Sequence, residues 1–142
     1  MLFLTNEDFI SSIRGEDLDR LTDSDQTVLD AAELTAITLV NTELSARFDI
    51  DADLGKVGIN RSQQLIDWLV DATIYRLYYR ISPRNISEAV QDRYDLALEQ
   101  IRAVLKNEAN PVGLTPKLDE DGEEINFAII QTGTPNAYRT DY

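Results

Sequence analysis

The chain has 142 residues, of which 43% are hydrophobic and 27% charged. That is room for one domain with a sizeable core and too little for two ordinary ones. It carries no Cys and no His, which excludes disulfides, thiolate nucleophiles, zinc–thiolate sites, the Ser-His-Asp triad and imidazole acid–base chemistry near neutral pH. Against 26 Asp and Glu stand 13 Lys and Arg, a formal net charge of −13, so nucleic-acid phosphates and anionic membranes should repel it.

No apolar run reaches the ~18 residues needed to span a bilayer. The segment from Met1 to Asp8 turns acidic before a signal-peptide core can form, so no secretory leader is expected. Glycine-rich phosphate loops are missing. With 26 acids, a close carboxylate pair is expected by chance and diagnoses nothing. The chain is therefore expected not to be an enzyme and to take no cofactor or metal.

In chain order, Thr5 can cap a short helix with Glu7 and Asp8 in its first turn. It would run through Phe9, Ile10 and Ile13 and stop at Gly15. Glu16 to Asp25 is acidic and reads as a loop from which Leu18 and Leu21 dock on the core. A long helix is predicted from near Ser24 to near Phe48, because Leu29, Ala32, Ala36, Ile37, Val40, Leu44 and Phe48 recur at helical spacing. Asp49 to Asn60, with two glycines and three alternating aspartates, reads as a loop.

The third helix spans about Ser62 to Ile81. Ile66, Leu69, Val70, Thr73 and Leu77 share one face, while Trp68, Ala72, Tyr75 and Tyr79 lie roughly opposite. A helix apolar on two sides is either central in a bundle or buried against a neighbouring subunit. Pro83 ends it. Ser87 caps a fourth helix with the stripe Val90, Tyr94, Ala97, Leu98, Ile101 and Leu105, closed by Asn110-Pro111. Residues 1–110 thus read as a helical domain and 111–142 as a C-terminal arm. Asp121-Gly122 marks a turn between Lys117-Leu118 and the apolar run Ile125 to Ile130, the pattern of a β-hairpin. So apolar a strand needs a surface, its own bundle or a partner's. The predicted class is all-α: a small bundle of about four helices with an extended arm.

Two patterns carry candidate chemistry. Asp49-x-Asp51-x-Asp53 begins like a calcium loop, but Gly55 comes one place late and Asn60 stands at the twelfth position, so a solvated acidic loop is expected. Arg76, Arg80 and Arg84 recur every four residues beside Tyr75, Tyr78 and Tyr79. They can pair in-chain with Asp67, Asp71 or the fourth helix; they can form a subunit interface together with Trp68, Tyr75 and Tyr79; or they can form a nucleic-acid strip, which the overall charge opposes.

Asp30-Ala31-Ala32-Glu33, the run Val40-Asn41-Thr42-Glu43-Leu44-Ser45-Ala46-Arg47-Phe48-Asp49, the helix containing Asp71-Ala72, Tyr75 and Leu77-Tyr78, and the set Val90, Arg93-Tyr94, Ala97-Leu98 and Ile101 together resemble the head–tail connector proteins of tailed phages, head-completion adaptors with a Mu-like branch. The resemblance covers about residues 4 to 115. Ile50-Asp51 departs from it where a proline is usual, and Asn107 to Asn110 where a glycine is. It implies a virion neck protein, present in the host cytoplasm during assembly. Such a protein forms a homo-oligomeric ring of twelve beneath the portal protein, lets DNA pass through its channel without specific binding, and docks the next neck or tail protein.

On that basis subunit contacts are expected at Trp68, Tyr75, Arg76, Tyr79, Arg80 and Arg84. Portal or partner contacts are expected on the arm at Ile125, Phe127, Ile129, Ile130 and Tyr138. No membrane partner is expected. The rival reading is an acidic DNA mimic that inhibits a host nucleic-acid-binding protein.

Overall fold

A computed structural model describes residues 1–106 and 113–125. Within them lie six α-helices: α1 (Asn6–Phe9), α2 (Gly15–Thr22), α3 (Gln26–Leu44), α4 (Ile50–Leu54), α5 (Gln63–Ile81) and α6 (Glu88–Leu105), with a single 3₁₀ turn at Gly58–Asn60. The three long helices form the bundle, each packed against the other two. Their starts are set locally. Asp25 Oδ1 accepts from the Thr27 N–H at 2.9 Å, Ser62 Oγ from Leu65 and Ser87 Oγ from Val90, both at 3.3 Å. Each cap satisfies a first-turn donor that the helix itself leaves unpaired.

The bundle core joins Leu29, Ala36, Val40 and Leu44 of α3, Ala97, Ile101 and Val104 of α6, and a run of α5 residues buried on most of its circumference. Thus α5 is the central helix. Its second apolar face is filled from within the chain: Trp68 donates to Gln100 Oε1 at 3.0 Å, and Tyr75 stacks on Tyr94 with ring centroids 3.9 Å apart.

Three expectations about local structure need correction. Glu16 to Asp25 is not a loop. Residues 15–22 are α2, in which Leu18, Leu21 and Thr22 line one buried face and Glu16 and Asp17 occupy the first turn, where the helix dipole favours acids. Asp23 and Ser24, at φ 56° and 55°, end it in left-handed conformations. Accordingly α1 is a single turn, and Gly15 opens a helix where it was expected to close one. Third, the acidic stretch after α3 contains α4, capped by the Asp49 carboxylate, which accepts from the Ala52 N–H at 3.1 Å.

The segment before α1 is sewn onto the bundle by a buried acid. Glu33 on α3 is fully buried, and its carboxylate accepts the backbone N–H groups of Leu2, Phe3 and Leu4 at 2.9, 2.6 and 2.8 Å. The Met1 ammonium pairs with Asp30 at 2.9 Å. Arg61 grips Asp8 through both terminal guanidinium nitrogens, at 2.7 and 3.1 Å, and donates to the Phe3 carbonyl at 3.1 Å. Burial works against ionisation of Asp8, but the hydrogen bonds from Arg61 and Thr5 and the Arg61 charge outweigh it, holding its pKa below the usual carboxylate value.

Residues 113–125 attach to the same bundle. Leu114 is buried in the core. Thr115 gives both its N–H (2.9 Å) and its hydroxyl (2.8 Å) to the buried carboxylate of Asp53, which Lys56 also approaches at 3.0 Å. The chain then runs beside the end of α3: the Asp49 N–H donates to Thr115 O and the Lys117 N–H to Arg47 O, each at 2.8 Å. A bridge between Leu118 and Glu124 closes a short hairpin over the turn at 119–122. The predicted hairpin exists in this form up to Ile125. The rest of its expected apolar strand, with Phe127, Ile129 and Ile130, and the expected arm contact Tyr138 lie outside the described residues.

Candidate docking surface

The expected interface residues separate into two groups. Trp68 is 1% exposed and belongs to the interior between α5 and α6, so it offers no outward surface. Tyr75 is half-buried on Tyr94. Burial first, and then the neighbouring Tyr75, raise the Tyr94 pKa above its ordinary value. Arg76, Tyr79 and Arg80 are brought together on the surface at the end of α5, with Arg84 exposed beyond it in the connection to α6.

The Arg76 guanidinium sits 5.6 Å from the Tyr79 ring centroid, within cation–π range, and Tyr79 is 44% exposed. Arg80 donates to the Leu21 carbonyl at 3.3 Å and lies 3.7 Å from Asp23. Asp71, one expected in-chain partner, is taken by Arg93 of α6 at 2.9 Å. Burial pushes the Asp71 pKa above the ordinary value despite that arginine. Asp67 accepts from Gln63. The arginine row at the end of α5 is therefore not consumed by the acids of its own helix.

Arg76, Leu77 and Arg80 form one wall of a groove of about 300 Å³, and Thr27, Val28, Ala31, Ala32 and Thr35 of α3 form the other. The outward side of α3 is the feature that sequence reasoning missed. Its exposed residues are Gln26, Thr27, Ala31, Leu34, Thr35, Thr38 and Thr42, all uncharged. The acids of this helix are engaged elsewhere: Asp30 with the N-terminus, Glu33 with backbone N–H groups and Glu43 with Arg102 at 3.8 Å. A charge-free outer stripe on a chain this acidic is a departure from the ordinary solvated helix surface. The signal was present as the i, i+4, i+7 or i+8, i+11 row 27, 31, 34/35, 38.

The acidic loop does not gather as a cation site. Asp49 caps α4, Asp53 is spent on Thr115 and Lys56, and among the described residues no three acidic side chains converge to hold a metal ion. Ile125 is half-buried at the root of the arm, and its carbonyl accepts from Arg47 Nε at 3.3 Å. Arg47 also donates to the Val104 carbonyl at the end of α6 and lies over the Phe48 ring at 4.8 Å. This one side chain ties the end of α3, the end of α6 and the arm root together.

No helix among the described residues is long and apolar enough to cross a membrane. No curated protein and no solved structure matches the chain. Residues 3–126 match the family described as Bacteriophage Mu, Gp36. That match takes in every helix of the bundle, the arginine row and the arm root, and the chain belongs to the bacteriophage Mu Gp36 family.

Proposed function

We propose that the chain is a structural virion protein, a head–tail connector. It assembles as a ring, twelve copies by its resemblance to connector proteins, beneath the portal, extends the DNA channel and docks the next neck or tail protein. The observation that carries this reading is the charge-free outer stripe of α3, with its arginine-lined groove, on a chain of net charge −13. A surface from which charge has been withdrawn is suited to burial against another protein. Membership of a bacteriophage family supplies the setting.

In this reading the chain performs no catalysis and holds no cofactor. The acidic surface serves the passage of DNA: at a net charge of −13, with the arginine row committed to the groove between α3 and α5, the wall offers little counterion release to hold the duplex in place. The arm beyond Ile125 reaches the portal, using Phe127, Ile129, Ile130 and Tyr138.

The test is electron microscopy of portal rings from the same phage mixed with the purified protein. A new annular layer under the portal is expected, and its loss in Phe127→Asp with Ile129→Asp would assign the contact to the arm. A folded protein that forms no layer at micromolar concentration refutes the connector reading. Competition with DNA for a host protein would then support the acidic mimic.

A further inference from the structure

We propose that the α3/α5 groove receives a second copy of this chain, held head-to-tail through the outer acidic stripe of α6. This rests on the ring reading above and names the two surfaces that would meet. On α6, Glu88, Asp92, Asp95 and Glu99 are all exposed. Their spacing, i, i+4, i+7, i+11, sets them in one row. That row is turned away from Ala97, Ile101 and Val104, which face the core. Among the described residues the side chains of Glu88, Asp92 and Glu99 make no ion pair or hydrogen bond, and the Asp95 carboxylate accepts from the Gln91 side chain alone.

The groove presents the opposite charge in the same period. Arg76 and Arg80 are one helical turn apart, about 6 Å, which is also the separation of Glu88 from Asp92 and of Asp95 from Glu99. Arg76 rests on the Tyr79 ring, Arg80 keeps a long 3.7 Å contact with Asp23, and Arg84 makes no ion pair among the described residues. All three keep N–H donors for a neighbour's carboxylates. Between the two charged rows lie uncharged surfaces: Ala31, Leu34 and Thr35 on the groove side and Leu96, 51% exposed, beside the acidic row.

Groove and stripe share no residue, and in this proposal they meet heterologously. Each copy offers one surface to the neighbour ahead and the other to the neighbour behind, the arrangement that generates a ring when the rotation closes.

The experiment is charge reversal with mixing. One variant carries Arg76→Glu, Arg80→Glu and Arg84→Glu; the other carries Asp92→Arg, Asp95→Arg and Glu99→Arg. Self-association is measured by sedimentation and native mass spectrometry, with circular dichroism as the check on folding. Each variant alone should associate at least about a hundredfold more weakly than wild type, since like charges then face each other. An equimolar mixture should recover assembly with strictly alternating composition, because both new contacts are complementary.

A second test uses the absence of cysteine. Arg76→Cys and Asp95→Cys proteins, each unable to cross-link by itself, should form mixed disulfide dimers. The chain bearing both changes should form a ladder of multimers. Dimers from either single variant would show a two-fold contact and overturn the proposal, as would variants that assemble like wild type or a mixture that fails to recover. Those results leave the ring reading standing, whereas a wild-type chain that forms no layer on portal rings removes the ring reading itself.

Discussion

Glu33 offers the sharpest test of the packing argument, since one buried side chain holds three consecutive backbone donors. In Glu33→Ala the N–H groups of Phe3 and Leu4, residues 7% and 3% exposed, lose their acceptor where water does not reach. Each orphaned buried donor costs about 1–3 kcal/mol. The Leu2 amide belongs to a residue 55% exposed and rehydrates at little cost. The damage has a ceiling, because the segment can instead peel away, which re-exposes the Phe3 and Leu4 side chains for roughly 3–6 kcal/mol. Both routes put the loss near 3–5 kcal/mol, a large share of the ~5–15 kcal/mol that holds a domain together.

At about 2–4 °C per kcal/mol for a chain of this size, the midpoint of thermal unfolding should fall by roughly 8–15 °C. Glu33→Gln keeps the volume and one accepting oxygen but turns an NH₂ toward N–H donors, so it should fall between the two. Denaturant unfolding gives the magnitude, and hydrogen exchange at the Phe3 and Leu4 amides separates peeling from global loss. If Glu33→Ala stays within about 1 kcal/mol of wild type with those amides still protected, the account of the N-terminal anchor is wrong.

Three further outcomes follow from the same contacts. Asp8→Asn should cost about 2–4 kcal/mol at neutral pH by leaving the largely buried Arg61 without its carboxylate. The Asp8 pKa is depressed in the folded state, so its contribution is present above the unfolded value, about 3.9, and is lost as pH falls through the folded one. Denaturation curves of mutant and wild type should therefore converge in acid. Thr115→Val removes one of the two hydrogen bonds to Asp53, and the amides of Asp49 and Lys117, which pair this segment with the end of α3, should exchange roughly tenfold faster for a loss of about 1–1.5 kcal/mol. Thr73 is fully buried with a hydroxyl that finds no partner among the described residues, so Thr73→Val should be neutral or raise stability by up to about 1 kcal/mol in chemical denaturation.

The sequence makes α5 and α6 legible because several local signals agree there. Ser62 and Ser87 cap, Pro83 breaks, and the apolar positions keep helical period between them. It hides α2 because acid-rich composition resembles a loop, although Glu16 and Asp17 suit a helix start and Leu18, Leu21 and Thr22 share a face. Periodicity also leaves open what covers the second face of α5. That depends on where α6 packs, which the spacing of Trp68 and Tyr75 cannot specify. The anchors are hidden for a related reason. Glu33 meets the Phe3 N–H across 30 positions, Asp53 meets Thr115 across 62 and Arg47 meets Ile125 across 78. No local pattern marks a pairing that exists only after the chain has closed.

The candidate surface shows a further limit, because it is defined by where charge is missing. Net charge is a sum, and −13 by itself argues that copies of this chain repel. The structure divides that sum unevenly. The acids of α3 are used in-chain on the N-terminus, on backbone donors and on Arg102, those of α6 remain outward, and the arginines cluster at the far end of α5. Repulsion between whole molecules acts over tens of ångströms and is screened beyond a Debye length of about 8 Å at physiological salt. Ion pairs a few ångströms apart around an uncharged groove are screened much less. Dilute salt should therefore disfavour association of this chain and moderate salt should favour it, with the ion pairs weakening only at higher concentration. A monotonic weakening from the lowest salt upward would mean that the pairs outweigh net repulsion at every distance, and a monotonic strengthening would mean that apolar contact alone holds the copies together.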